Sequence, residues 1–208
     1  MTRKENNGLW EPRFERDSCG FGLIAQLDGH ASHDIVRSAI QALERLTHRG
    51  AVAADGKTGD GCGLLMAAPR YFLESAAAAA GIEVGERFAA GLVFLNPEEE
   101  AAASARRQLE TLLSAEGLRP DGWRVVPTDS SVCGDQALET LPLVEQIFVT
   151  APDGMDRREF DRRLFVARRR AELALSGQDP VFYIASLSCR TLSWKAMVMP
   201  DCLTRFYP

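Results

Sequence analysis

Cys19 is the residue of this sequence whose position points most directly to chemistry. It stands in the stretch ERDSCGFGLIAQL, after charged and polar residues, with a glycine behind it and an apolar run beginning two residues later. A cysteine that packs in a core normally lies inside an apolar run, where it behaves as a small hydrophobic side chain. The place of Cys19 at the start of the run therefore favours a reactive thiol.

Removal of residues 1–18 would make Cys19 the first residue and give it a free α-amine. Such an amine has a pKa of roughly 7.7 to 8 and is substantially neutral at cellular pH. A neutral amine beside a thiol can act as its general base, the same logic by which an N-terminal threonine is activated. The sequence therefore predicts an N-terminal nucleophile at Cys19, with residues 1–18 as a propeptide or leader.

The segment ADGKTGDGCG contains Gly56-Lys57-Thr58, which matches the end of a phosphate-binding loop. That motif requires an earlier glycine where this sequence has Ala51. The motif also lies between a strand and a helix, whereas here a predicted helix precedes the segment and a predicted strand follows it. We interpret the segment as a glycine-rich turn between a helix and a strand.

The histidines and the other cysteines have structural interpretations. His48 and Arg49 fall at the end of the first predicted helix, where cations complement the helix dipole. His30 and His33 flank a turn and lack a third ligand at metal spacing, so no metal site is predicted. The other cysteines sit in or beside apolar segments, which indicates packing roles: Cys62, Cys133, Cys189 and Cys202.

Length and composition describe an ordinary globular chain of 208 residues, 46% hydrophobic and 25% charged. A net charge of -5 provides no basic field for nucleic acid. Five cysteines without a C-x-x-C pair favour a reducing cytoplasm over a secreted disulfide framework. No apolar stretch resembles a signal peptide or reaches the length of a membrane span.

Local patterns predict helices and strands in an irregular order. Capping residues and apolar residues at helical spacing predict helices that begin near Ser32, Pro69, Asn96 and Asp156. Gly50, Gly117 and Gly177 are the predicted stops. The predicted strands span residues 21–27, 64–67, 88–95, 123–127, 144–149, 181–187 and 192–199. Several strands are joined by connections too short for a crossover, so we expect an α+β fold with helices covering a largely antiparallel sheet.

Several blocks of sequence, in this order, resemble the class II glutamine amidotransferase domain. They are CGFGLIA from Cys19, LTHRGA from Leu46 and DGKTGDG from Asp55. Later blocks are similar to the large subunits of the glutamate synthase family: LP with EQIFV in residues 141–149, RRLF with RRR in residues 162–170, and FYIASLS in residues 182–188. The resemblance covers the chain from Cys19 onward.

This resemblance implies an N-terminal-nucleophile hydrolase fold, an αββα sandwich of two antiparallel sheets between helical layers. Residues 19–208 would be the N-terminal portion of that domain, apparently truncated. The implied reaction is hydrolysis of glutamine to glutamate and ammonia, with Cys19 as nucleophile and Arg49 supporting the active site beside it. The family's glutamine-carboxylate arginine and its Asn-Gly oxyanion pair fall in motifs beyond residue 208, so we expect the 208-residue piece alone to be impaired in catalysis.

For a full-length glutamate synthase, the resemblance implies FMN and an iron–sulfur cluster, with no cofactor in this segment, and transfer of ammonia to 2-oxoglutarate. The implied partners are glutamine, the rest of the large subunit and a small reductase subunit, in the cytoplasm, with neither nucleic acid nor membrane. Two alternatives stay open. One is an inactive truncated relic or interaction module with an exposed sheet edge, and the other is a glutaminase domain that serves another acceptor.

Overall fold

A computed structural model describes residues 20–208, which form six strands, six helices and three short 3-10 turns. The strands are β1 (Thr58–Ala67), β2 (Phe88–Leu95), β3 (Arg119–Val125), β4 (Leu143–Thr150), β5 (Tyr183–Ser188) and β6 (Thr191–Val198). The helices are α1 (His33–Glu44), α2 (Arg70–Ala79), α3 (Glu99–Ala115), α4 (Asp135–Glu139), α5 (Arg157–Leu175) and α6 (Leu203–Phe206). The 3-10 turns are Thr47–Arg49, Ser130–Val132 and Pro200–Cys202.

The strands form two antiparallel sheets, one of four strands in the order β3-β4-β2-β5 and one formed by β1 and β6. Helices α3 and α5 cover one face of the larger sheet, where Phe160 and Leu109 pack against Ile147. The other face, which carries Phe148, packs against α2 and the start of β6. The α+β prediction with antiparallel sheets is confirmed, and the layering is that of a sandwich.

A smaller apolar cluster fills the space under the β1–β6 ribbon. Val198 of β6 packs there with Phe206 of α6 and Ala137 of α4, and Leu43 of α1 reaches the same cluster. Helix α1 has no fully buried residue, so its apolar face is only half covered within the described part of the chain. No helix of residues 20–208 combines the length and the apolarity that crossing a bilayer requires.

The predicted strand over residues 21–27 is wrong. These residues have no regular secondary structure until the turn at Leu27 and Asp28, and no strand within residues 20–208 pairs with them. Phe21, Leu23 and Leu27 are 91%, 88% and 103% exposed. An alternating apolar pattern forms a strand only where a neighbouring strand supplies its hydrogen bonds, and the sequence alone does not show whether one is present.

Strand β1 begins six residues earlier than predicted, because Thr58–Gly63 pairs with β6 instead of forming a turn. A Cβ at Gly59 would lie 2.7 Å from the Val198 carbonyl oxygen, and one at Gly63 would lie 2.6 Å from that of Trp194. The glycines therefore permit a close approach of two backbones, a role that composition alone does not distinguish from a turn.

The helix boundaries agree best where capping chemistry is local. Gly117 follows α3 with a φ of 72°, as its predicted stop requires. The Asp156 carboxylate accepts from the amides of Arg158 and Glu159, which confirms the N-terminus of α5. The capping box is only half formed, because the Glu159 carboxylate instead accepts from Arg162 and Arg163.

Candidate functional site

Cys19, the predicted nucleophile, lies outside the described residues, and Gly20 is the first residue that the structure places. A Cβ built on Gly20 would lie 3.3 Å from Cβ of Arg49 and 3.7 Å from Cδ2 of Leu46. The chain that follows Cys19 therefore runs against the turn that ends the first helical segment. The structure thus brings Arg49 next to residue 20, one residue away from the predicted nucleophile along the chain.

The turn that carries Arg49 is fixed by its own hydrogen bonds. Helix α1 ends at Glu44, whose carbonyl oxygen accepts from the hydroxyl of Thr47 at 2.6 Å. The Nδ1 atom of His48 lies 2.9 Å from the carbonyl oxygen of Arg45, and the amide of Arg49 donates to Leu46. His48 therefore acts in closing the helix end, as its position predicted. The Arg49 side chain is exposed.

After this turn the chain forms a loop that returns a carboxylate to it. Val52 and Gly59 form a β-bridge, and the amide of Asp60 donates to the carbonyl of Ala51. As a result, a Cβ at Gly50 would lie only 2.9 Å from Oδ1 of Asp60. The sequence interpretation did not place Asp60 near Gly50. The run of glycine and aspartate residues in segment 54–63 was the one sequence feature that could have indicated a loop folding back on itself.

Asp55 locks this loop to helix α4. Its carboxylate accepts from the amides of Lys57 at 2.9 Å and Thr58 at 2.7 Å, from the Thr58 hydroxyl at 2.5 Å, and from the amide of Gln136 at 3.2 Å. These hydrogen bonds, led by the one from the Thr58 hydroxyl, hold the pKa of Asp55 well below its usual range. The carboxylate is therefore ionised throughout the neutral range and is an organising centre of the loop.

Gly134 is required by the same contact. A Cβ at this position would lie 2.4 Å from Oδ2 of Asp55 and 2.4 Å from Oγ1 of Thr58. The Thr58 hydroxyl also accepts from the amide of Ala137, so the first turn of α4 rests on the Asp55–Thr58 pair. The sequence interpretation missed Gly134, because 79 residues separate it from Asp55 and no local pattern joins them.

The structure supports the rejection of a phosphate-binding loop at Gly56-Lys57-Thr58. Such a loop presents free backbone amides to phosphate oxygens. Here the amides of Lys57 and Thr58 donate hydrogen bonds to the Asp55 carboxylate, and a strand follows the segment. The carboxylate at the centre of this loop would repel a phosphate group.

Burial disfavours the thiolate form of three cysteines of the described region. Burial raises the pKa of Cys62 to about 12, and burial also raises the pKa values of Cys133 and Cys189. Cys202 is buried and accepts a hydrogen bond from Arg205. Within residues 20–208 no three histidine, cysteine or carboxylate side chains come together as a metal site would require. The nucleophile prediction for Cys19, which lies outside the described residues, stays a prediction.

Comparison with known proteins gives one family. A model of the family "Glutamine amidotransferases class-II" matches residues 19–208. The chain is 36% identical over 201 residues to the glutamate synthase [NADPH] large chain of Bacillus subtilis (strain 168), with 96% of this chain and 13% of that protein covered. It is 42% identical over 195 residues to the ferredoxin-dependent glutamate synthase 2 of Synechocystis sp., with 93% and 12% covered.

A third relative, the glutamate synthase [NADPH] large chain of Azospirillum brasilense, is 39% identical over 202 residues. The alignment covers 96% of this chain and 13% of that protein. The chain therefore spans only a small part of the length of the relatives it matches.

Proposed function

Because this chain belongs to the class II glutamine amidotransferases, we propose that it contributes the N-terminal part of a glutaminase with Cys19 as nucleophile. The observation that carries the proposal is the position of Gly20 beside Arg49, where a Cβ on residue 20 would lie 3.3 Å from Cβ of Arg49. It is joined by the family match, which begins at residue 19. In this proposal, residues 1–18 form a propeptide whose removal exposes the Cys19 amine, and residues 19–208 are the first portion of the domain.

The proposed chemistry is acyl transfer through a thioester. The α-amine of Cys19 takes the thiol proton, and the thiolate attacks the side-chain amide carbon of glutamine. The C–N bond breaks, and ammonia leaves with the proton that the amine returns. Water then hydrolyses the glutamyl thioester to glutamate and regenerates the thiol. Arg49, on a turn fixed by Thr47 and His48, supports the site from the side on which Gly20 lies.

For the longer protein that contains this segment, we propose a glutamate synthase in the cytoplasm that passes the ammonia to 2-oxoglutarate. In this proposal, FMN and an iron–sulfur cluster belong to the remainder of that protein. The remainder of the large subunit and a small reductase subunit would be the partners. The relatives named above include NADPH- and ferredoxin-dependent enzymes, so both electron donors are candidates.

The first test is replacement of the nucleophile in the natural full-length protein. We expect Cys19→Ser to lower glutamine hydrolysis by at least about a thousandfold while activity with added ammonia is retained. Cys189→Ser, at a half-buried thiol in the connection from β5 to β6, is the matched control and should leave glutamine hydrolysis unchanged. Equal glutamine hydrolysis by Cys19→Ser and the wild type would contradict the proposal.

The mature N-terminus separates the enzyme from the alternatives. Intact mass and N-terminal peptide mapping should show a chain that begins at Cys19, and an alkylating glutamine analogue should label that residue. A chain that still begins at Met1 or Thr2 and resists the analogue would favour the relic or interaction module. Glutamine hydrolysis without transfer to 2-oxoglutarate would favour a glutaminase that serves another acceptor.

The role of Arg49 is tested separately. We expect Arg49→Gln to lower kcat/KM for glutamine by about ten- to a hundredfold, because a guanidinium placed beside a nucleophile contributes charge and hydrogen bonds to the reacting group. Arg45→Gln, an exposed arginine one turn earlier, is the control. Equal effects of the two substitutions would assign Arg49 to helix capping alone.

A further inference from the structure

A cavity of about 320 Å³ opens beside the start of β2, and its lining contains none of the residues of the Arg49 turn or the Asp55 loop. Four segments build it: the start of α2, the start of β2, the first residue of α5 and the connection from β5 to β6. Its apolar lining is supplied by Ala68, Leu73, Phe88, Ala89 and Ala90. A volume of this size is at the lower end of the range for small-molecule sites.

Three arginines line the cavity: Arg70, Arg87 and Arg157. Arg70 is held in place, because its Nη2 atom donates to the carbonyl oxygen of Glu86 at 2.7 Å and pairs with Glu74 at 2.8 Å. Its guanidinium also lies 5.1 Å from the ring centroid of Phe88. This arginine joins the apolar lining to the charged rim.

The other two arginines are less neutralised. Arg157 donates to the carbonyl oxygen of Cys189 at 3.4 Å, which directs it across the β5–β6 connection. Among the described residues, neither Arg157 nor Arg87 forms an ion pair, and both side chains are exposed. Glu86 is the single carboxylate that lines the cavity. The lining itself is therefore richer in cationic than in anionic side chains, while Glu74 next to it pairs with Arg70 and Asp156 lies near enough to Arg87 for that arginine to help lower its pKa.

We propose that this cavity binds a small phosphorylated organic molecule. Guanidinium groups match phosphate oxygens with paired hydrogen bonds, and three of them around one opening can surround a dianion from several sides. The apolar lining would contact the organic part of the ligand, which favours a phosphate ester over free inorganic phosphate. The site is separate from the proposed glutaminase site, so its ligand would be bound without being hydrolysed by Cys19.

The proposal is tested by calorimetric titration of the intact natural protein at constant ionic strength, with inorganic phosphate and phenyl phosphate as probes. We expect both to bind, and phenyl phosphate to bind at least about tenfold more tightly because its ring covers apolar surface. Arg87→Gln and Arg157→Gln should each weaken binding by at least about tenfold. Arg107→Gln, an exposed arginine of α3 outside the cavity, should leave the dissociation constants unchanged.

Arg157→Lys separates charge from geometry, since it keeps the cation but loses the planar pair of donors. Intermediate affinity supports the proposal, and circular dichroism establishes that each variant is folded. Absence of binding to the intact protein, as when an acidic segment of the longer chain fills the cavity, overturns it. Equal affinities of Arg87→Gln, Arg157→Gln and wild type also overturn it.

Discussion

The Asp55 carboxylate accepts a hydrogen bond from the Thr58 hydroxyl, and together the two side chains receive the first turn of α4 through the amides of Gln136 and Ala137. This pair joins the loop after Arg49 to a helix that lies about eighty residues later in the chain. The position of the loop therefore depends on a long-range contact as well as on its own turns. The loop in turn brings Asp60 back to Gly50, beside the predicted site.

Replacing Asp55 with alanine should loosen this loop. The substitution removes four accepted hydrogen bonds and leaves the Thr58 hydroxyl and the amide of Gln136 without their partner. We expect amide hydrogen exchange in residues 50–63 to accelerate by at least about tenfold. Asp153→Ala, at an exposed loop carboxylate, is the control. Unchanged exchange in Asp55→Ala would show that the loop holds without the carboxylate.

The same carboxylate predicts the acid sensitivity of the loop. Its pKa is lowered in the folded protein, so its contribution is fully present above the unfolded value of about 3.9 and is lost as the pH falls through the folded value. Protection of residues 50–63, corrected for intrinsic exchange rates, should therefore be constant from about pH 8 to pH 5 and decline below about pH 4. Asp55→Asn should remove this dependence. A decline between pH 7 and pH 5 would assign the sensitivity to another group.

Gly134→Ala should destabilise the contact between helix α4 and the Asp55–Thr58 pair. A methyl group there would lie 2.4 Å from two side-chain oxygens and 2.5 Å from the amide nitrogen of Thr58, so the helix or the loop must move. We expect a local cost of about 1–3 kcal/mol, measured by hydrogen exchange in residues 50–63 and 130–140. Gly177→Ala is the matched control, because no atom lies within 4 Å of the position that its methyl group would take. Equal exchange in the two variants would contradict the prediction.

Gly20→Ala tests the geometry next to Cys19. The new methyl group would press on Cβ of Arg49 at 3.3 Å, and a displaced nucleophile or arginine should lower kcat/KM for glutamine by about tenfold or more. Gly22→Ala adds the same methyl group where nothing lies within 4 Å, so its activity should stay within about twofold of the wild type. Comparable losses in both variants would indicate an effect of glycine content rather than of the Arg49 contact.

Predictions from the sequence succeeded where the cause lies within a few residues. Asp156 beside the amides of Arg158 and Glu159, and Gly117 with its positive φ, specify helix ends by local chemistry. They failed where a distant partner decides, as at residues 21–27 and in the glycine-rich start of β1. Local position and the family resemblance made Cys19 and Arg49 the predicted site residues, but no sequence pattern could have found Gly134, whose role exists only through its closeness to Asp55.

The ion pair of Arg106 and Glu145 gives a prediction about the core under α3. The Glu145 side chain is 8% exposed and accepts from Nε of Arg106 at 2.8 Å and from Nη2 at 2.6 Å. Glu145→Gln would replace the buried carboxylate partner of Arg106 by a neutral amide and leave exposed Glu99 as its charged partner. This loss should cost about 3 kcal/mol of local stability. Hydrogen exchange at the β4 amides measures this cost.

Glu99→Gln is the matched control for this ion pair, because Glu99 contacts the same arginine at 2.9 Å but is 75% exposed. Water screens that pair, so its loss should cost no more than about 0.5 kcal/mol. Comparable costs for the two substitutions would mean that Arg106 draws its stabilisation from solvent-exposed charge. A large cost for Glu145→Gln alone would show that the buried, two-point hydrogen bonding to Glu145 supplies most of the stabilisation. Replacing one carboxylate oxygen by an amide group removes both a hydrogen-bond acceptor and the negative charge.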